Sequence, residues 1–251
     1  MEPWDHILQT LKFNGESEFI VSADNIKECG KSWKGAANQF EPRLLCYQTS
    51  TTTRPTAFKK NGLYILPIKN GTYLLTKQNI YMPLDYSGGQ TFVIKRDNSS
   101  VILGIGNSET SLIDNMRYSG VFEREEILGE PITHGPLLNG RHRINMDMKL
   151  GGKDINISGV QYETDSCYES KNKILIIEGK SCTKEIDSFN IRQLYFPFRE
   201  ATRLAKNTKE IVCVFVHELK GKIHVWKYTF ENVEMMDSIK VVGHYVYTFS
   251  S

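Results

Sequence analysis

The sequence has no Cys-x-x-Cys pair, no His-x-His or His-x-x-x-His pair, and no apolar run near the roughly 20 residues that a bilayer requires. Its five cysteines, Cys29, Cys46, Cys167, Cys182 and Cys213, are odd in number and widely spaced. That argues against a disulfide framework or a zinc site and for reduced thiols. The dispersed histidines read as core or surface residues rather than metal ligands. Gly104-Ile105-Gly106 lacks the third glycine of a dinucleotide loop, and no internal repeat recurs at a fixed period. The opening Met1-Glu2-Pro3-Trp4-Asp5 has neither the basic nor the apolar stretch of a secretory signal. The expectation is a cytoplasmic protein that neither crosses nor needs a membrane. A large charge excess is missing too: 31 basic and 29 acidic residues leave a net charge of +2. Bulk charge therefore does not hold a nucleic acid here as it does for a histone-like binder, although a local basic cleft beside an acidic site remains compatible.

What is present is an ordinary globular composition. Hydrophobic residues make up 40% and aromatics 11% of 251 residues, enough to bury a core in one large domain or two modest ones. Apolar residues at helical spacing (Ile7, Leu8, Leu11) predict a helix within residues 4–13. Residues 31–60 are polar and irregular, with a Thr-rich stretch at 48–56. Residues 63–68 and 72–75 read as strands around Asn70-Gly71, a hairpin signal in which both turn residues are expected to take positive φ. A second pair, 91–95 and 101–105, is expected across Asp97-Asn98-Ser99-Ser100. Asn107 or Ser108 can cap a helix over residues 109–118 that Gly120 ends. Strands are then expected at 144–150 and 154–165 around Gly151-Gly152, and at 173–178. A helix follows at 189–206, with Leu194, Phe198, Ala201 and Leu204 on one face and a kink or shifted start at Pro197. Strands at 211–216 and 222–228 flank Lys220-Gly221. The expected fold is α+β or α/β: residues 106–251 forming a mixed central sheet flanked by helices, and residues 1–105 a separate β-rich region.

One segment carries chemistry. Gln161, Glu163 and Asp165 alternate along one strand, and Ile174-Leu175-Ile176-Ile177 leads into Glu178-Gly179-Lys180. Residues two apart on a strand share a face, so Glu178 and Lys180 emerge together from an apolar strand. If the two strands are neighbours, three carboxylates and an ammonium converge. Such a cluster is costly alone, and a divalent cation offsets the repulsion; carboxylate oxygens suit Mg²⁺. A metal there lowers the pKa of bound water and neutralises charge on a phosphodiester, while Lys180 orients the attacking water or stabilises the added charge. Tyr195-Phe196-Pro197-Phe198 reads as core packing.

Asp165, twelve residues and then Glu178-Gly179-Lys180 resemble the acid…(D/E)-x-K motif of the PD-(D/E)xK nucleases. The helix-strand-strand-strand-helix-strand order from Glu109 resembles their common core. The run Asp187-Ser188-Phe189-Asn190-Ile191-Arg192-Gln193-Leu194-Tyr195 is similar to a segment of bacterial restriction-endonuclease-like proteins. The resemblance covers residues 107–230. It implies a restriction-endonuclease-like core, Asp165 and Glu178 as Mg²⁺ ligands (Mn²⁺ substituting), Lys180 as catalytic lysine, Glu109 as an additional helix acid and Gln193 beside the site. Glu163 is an equally placed rival to Asp165, and no proline precedes Asp165 where the family name has one. The activity implied is that of a type II restriction enzyme on double-stranded DNA, working as a homodimer on palindromic sites, with a DNA methyltransferase as genetic partner. A repair or recombination nuclease on the same core and a non-catalytic DNA-binding protein are the alternatives. Candidate DNA contacts are Arg43 and Arg54 in the N-terminal polar loop, which are expected to read bases, and Arg141, Arg143, Arg192 and Arg199.

Overall fold

A computed structural model describes residues 2–95, 108–138 and 140–250. The strand expected at 101–105, the turn at 97–100 and Asn107 lie outside the described residues.

The N-terminal third is more helical than its sequence suggests. Helix α1 (Pro3–Thr10) has Pro3 in its first turn and buries Trp4, Ile7 and Leu8. Strand β1 (Glu18–Ser22) leads into α2 (Ala23–Lys31), whose N-cap Ser22 forms a reciprocal capping box with Asn25. Two short helices follow, α3 (Pro42–Leu45) and α4 (Thr56–Asn61). Strands β2 (Tyr64–Lys69) and β3 (Thr72–Thr76) form the expected hairpin. Of its two turn residues only Gly71 takes a positive φ, 70°. Trp4, Ile7, Ile26 and Phe58 pack on Val21, Ile65 and Leu75, so this unit is helices on one face of a sheet rather than a β-rich module. Each such buried side chain stabilises the unit by about 1.5–3 kcal/mol. The polar composition of residues 31–60 masked α3 and α4, because short helices bury too few residues to show a period.

The rest of the chain supplies β4 (Tyr81–Pro83), β5 (Gln90–Lys95), α5 (Glu109–Tyr118), β6 (Ile132–His134), β7 (Arg141–Leu150), β8 (Lys153–Glu163), β9 (Ser166–Ser170), β10 (Lys173–Ser181), β11 (Ser188–Asn190), α6 (Arg192–Ala205), β12 (Glu210–Leu219), β13 (Lys222–Phe230) and β14 (Ile239–Ser250). A five-stranded sheet runs β1-β3-β2-β8-β7, a seven-stranded sheet runs β5-β14-β13-β12-β10-β9-β6, and β11 pairs with β4. The protein is thus mixed α+β, as expected. The sheets do not part at residue 105, however. The β7–β8 hairpin joins the edge of the N-terminal sheet, and β5 joins the second sheet parallel to β14. Composition along the chain carries no record of which distant strand completes a ladder.

Helix α6 lies between the two sheets. Leu194, Tyr195, Phe196, Phe198 and Ala201 pack among Ile144, Ile157 and Val160 on one side and Ile176, Cys213 and Phe215 on the other. The aromatic run from Tyr195 is therefore core, as read from sequence, whereas Leu204 is exposed. The start of the helix falls at Arg192, after β11, and the helix continues through Pro197. On the opposite face of the second sheet, Leu112, Ile113 and Met116 of α5 cover Leu175, Ile177, Val212 and Val214. Strand β10 is buried on both faces, which is why Ile174 to Ile177 reads as an unbroken apolar run. Among the described residues no helix is long and apolar enough to cross a membrane, and all five cysteines are unpaired.

Candidate active site

The expected single strand over residues 154–165 is two strands. Strand β8 ends at Glu163 in the five-stranded sheet, and β9 begins at Ser166 in the seven-stranded one. Asp165 sits where the chain changes sheets, so it does not share a strand face with Gln161 and Glu163. The ladder between β9 and β10 ends at Ser166↔Ile177. Beyond that pair β10 continues alone on this edge, and the Gly179 amide would lack an acceptor. The Asp165 carboxylate provides one: Gly179 N–H donates to its Oδ2 at 2.7 Å. On the other edge β10 remains paired with β12, in parallel, through Glu178↔Phe215 and Lys180↔His217.

Three carboxylates surround the Lys180 ammonium. Nζ lies 2.8 Å from Glu178 Oε1, 3.0 Å from Glu109 Oε1 and 3.9 Å from Asp165 Oδ2. Glu109 arrives from the first turn of α5, whose N-cap Ser108 accepts from the Ser111 amide. Gly179 lets that helix approach: a Cβ built there would stand 3.3 Å from Ile113 Cδ1 and 3.8 Å from Glu109 Cβ. From the α6 side, Gln193 Nε2 donates to Glu178 Oε1, the same oxygen that Lys180 binds. The Gln193 Oε1 atom, and Thr164 Oγ1 one residue before Asp165, are buried without a partner. Leaving such a group unpaired costs about 1–3 kcal/mol.

The electrostatics follow from burial. Glu178 is 4% exposed, and desolvation lifts its carboxyl to about 8, with Asp165 adding to the rise and Lys180 opposing it. Burial also raises Asp165, against the pull of Lys180 and the Gly179 N–H. Burial works against the charged form of Lys180, but Glu178 and Asp165 outweigh it and hold the ammonium above its usual range. Lys180 Nζ accordingly donates to Glu178 Oε1 and Glu109 Oε1.

The donor set fits a hard divalent cation. Among the described residues no three His, Cys, Asp or Glu side chains form a site able to hold a metal alone. Mg²⁺ commonly needs only one or two carboxylates, its remaining positions being filled by water and phosphate oxygens. Asp165 and Glu178 meet that requirement, Glu109 stands beside them, and the unpaired Gln193 Oε1 is an acceptor suited to a water in the outer shell.

The other predicted residues separate clearly. Glu163 is exposed at the end of β8 and pairs with Arg141 at 2.7 Å, so the structure gathers Asp165 at Lys180 and leaves Glu163 out. Arg54 is buried; its guanidinium donates to the carbonyls of Leu63, at 2.7 and 3.1 Å, and of Phe58, and stacks on the Tyr64 ring. It is a structural residue, turned inward onto backbone carbonyls where no base contact is open to it. Arg199 donates to Asp147 O and Tyr195 Oη. The Thr-rich loop is anchored as well: the Thr51 amide donates to Ser188 Oγ at 2.8 Å and Thr52 Oγ1 to Asp187 Oδ1 at 3.0 Å, fastening it to β11.

Arg43, Arg141, Arg143 and Arg192 come together. With Lys69 they line a cleft of about 440 Å³ between α3, the β2–β3 turn, the β7–β8 ends and the start of α6. Among the described residues no carboxylate lines it. Burial pulls the Arg192 guanidinium below its usual value, although it remains charged. Arg192 adjoins Gln193, so the cleft and the carboxylate cluster meet at the first turn of α6. Lys69 and Gln48 in this cleft were not singled out from sequence; a lone lysine and a lone glutamine carry no signal until the fold brings them to one wall.

The fold and site define a mixed α+β protein with a carboxylate–lysine cluster at an open strand end. The chain belongs to the family described as Domain of unknown function (DUF6997), whose model matches residues 76–248; a second, Domain of unknown function (DUF6996), matches residues 1–75. No curated protein and no solved structure matches the chain. The join between the two family models at residues 75 and 76 falls at the end of β3, well before the boundary near 105 expected from composition.

Proposed function

We propose that the protein is a Mg²⁺-dependent endonuclease of the PD-(D/E)xK type, and a sequence-specific restriction enzyme on double-stranded DNA. The observation that carries the reading is the convergence of Asp165, Glu178 and Lys180 at the open end of β10. The order α5-β6-β9-β10-α6-β12 supports it. Its β6, β9 and β10 are successively antiparallel and β12 is parallel to β10, which resembles the restriction-endonuclease-like core, but β6 and β9 take the places expected of residues 144–150 and 154–165, which instead form the β7–β8 hairpin of the other sheet.

In this reading Asp165 and Glu178 hold Mg²⁺, or Mn²⁺ in its place, with Glu109 as a further ligand. The cation supplies Lewis-acid stabilisation of a phosphodiester and a more acidic water. Lys180, kept protonated by its carboxylates, donates to the attacking water or to the oxygen on which negative charge grows. Gln193 fixes the Glu178 carboxylate, and Arg192 with its neighbours holds the backbone of the bound strand. A homodimer on palindromic DNA and a DNA methyltransferase encoded alongside belong to the same reading.

The test is digestion of a long mixed-sequence duplex in Mg²⁺ with wild type and Glu178→Gln. Discrete fragments from wild type alone support a restriction enzyme. Wild-type cleavage without discrete fragments points to a repair or recombination nuclease, and equal activity of both proteins overturns the site.

A further inference from the structure

The basic cleft holds one group that phosphate binding does not explain. Gln48, 6% exposed, lines it, and both atoms of its side-chain amide are buried without a partner. Its backbone is held: Gln48 O accepts from Tyr81 Oη at 3.1 Å. The buried amide at the cleft wall keeps a donor and an acceptor unused. Two tyrosines share the lining, Tyr73 partly buried and Tyr47 62% exposed. The cleft combines an amide, aromatic faces and the cations of Arg43, Lys69, Arg143 and Arg192, with Arg141 shared with Glu163.

These are the parts that a nucleotide needs. A glutamine amide matches the donor–acceptor edge of adenine in a bidentate pair. Aromatic rings stack on a base of any kind, and arginines meet its phosphates. The volume, about 440 Å³, lies in the range of small-molecule sites and is far too small for a duplex. A base reaches such a pocket only when it leaves the stack.

We propose that the cleft accepts a single unstacked nucleotide of the DNA, with its base, adenine by preference, on the Gln48 amide and beside Tyr47, and its phosphates on the surrounding cations. The proposal rests on the reading of the chain as a DNA-acting protein, but not on cleavage. The pocket selects DNA that already carries an extrahelical base or yields one readily, because unstacking is then less costly.

The experiment is done in EDTA, so that no cutting occurs. Wild-type protein is titrated against a duplex with one unpaired adenine, the same duplex with one unpaired thymine, and the fully paired duplex, followed by fluorescence anisotropy. A bulged 2-aminopurine reports on the base itself. Binding of the adenine bulge about tenfold tighter than the paired duplex is expected, with a 2-aminopurine signal change on binding. Gln48→Leu should remove the preference for adenine over thymine. Tyr47→Ala, at an exposed position that does not support the core, should reduce the preference for both bulges. Equal binding of all three duplexes by wild type overturns the proposal, as does an adenine preference that survives both substitutions. Failure of the nuclease reading appears differently: bulge preference in EDTA with no cleavage in Mg²⁺ would leave the pocket standing and remove the enzyme.

Discussion

The side chains of Gln193 and Lys180 donate to one oxygen, Glu178 Oε1, from opposite ends of the crossover between β10 and α6. A buried carboxylate that burial lifts to about 8 is thereby kept in one orientation by two donors, one neutral and one charged. The helix that packs the core between the two sheets also sets the geometry of the candidate ligand.

Gln193→Leu should therefore weaken the metal response more than the fold. Outer-shell partners of metal ligands typically contribute 10–100-fold in affinity or activity. The expected result is a Mg²⁺ requirement for cleavage raised by about 10–100-fold. A Mg²⁺ titration identical to wild type would remove Gln193 from the site.

Lys180→Ala should abolish cleavage and spare DNA binding, since in the proposed mechanism the ammonium stabilises developing charge rather than the ground state. Losing one such group costs roughly 10²–10³ in turnover. Ca²⁺ should support binding without efficient cutting, because it is larger and more loosely coordinated than Mg²⁺. Wild-type turnover in the variant, or wild-type cleavage in excess chelator, would contradict the mechanism.

Gly179→Ala places a methyl group 3.3 Å from Ile113 Cδ1, on the face where α5 packs. The Ile113 side chain must give by a few tenths of an ångström, on the same helix that carries Glu109. A loss of about 1–3 kcal/mol in urea unfolding is expected, and Ile113→Val in the same chain should recover part of it by removing the Cδ1 atom. Full additivity of the two changes would show that the contact does not matter.

Arg54→Met should act on stability and not on DNA. It deletes the hydrogen bonds to Leu63 O and Phe58 O, each charge-assisted bond contributing about 1.5–3 kcal/mol. Urea unfolding should show the loss, while the salt dependence of DNA binding stays that of wild type. A changed salt slope would return Arg54 to the interface.

A pH effect should come from His224, which is buried and stands 3.1 Å from His244. Burial, with His244 and His217 adding, lowers it from 6.5 to about 4. Between those values the unfolded chain takes up a proton that the fold refuses. Its contribution is complete above pH 6.5 and is lost as pH falls toward 4, by up to about 1.4 kcal/mol per pH unit. Unfolding free energies of wild type and His224→Phe, measured from pH 7 to 4.5, should show a shallower fall in the variant; parallel curves would exclude the histidine.

Much of the second half of the molecule was legible in the order of its residues. The bounds of α5 and the Ser108 cap follow from a cap, a helical run and a terminating glycine, all local. Strand β10 announces itself by four apolar residues, and Glu178-Gly179-Lys180 by their alternation at its end. The hairpins at Asn70-Gly71 and Lys220-Gly221 need only a backbone that tolerates the turn. Strand β14 was not legible, because as the penultimate strand of the sheet it leaves Val241 and Val242 exposed and lacks regular alternation.

What the tertiary structure alone decided was partnership. Glu163 and Asp165 are equivalent as letters two apart. They diverge because β8 ends in one sheet and β9 begins in the other, which leaves Asp165 facing the unpaired Gly179 amide and Glu163 facing Arg141. Arg43 and Arg54 are likewise alike in a polar loop. One lines the cleft, while the other is held over the Tyr64 ring by its bonds to the Leu63 and Phe58 carbonyls. Local propensity sets the elements within a few residues of each atom. Which charges meet depends on ladders closed by strands far apart in the chain, and no window of sequence contains both sides of that contact.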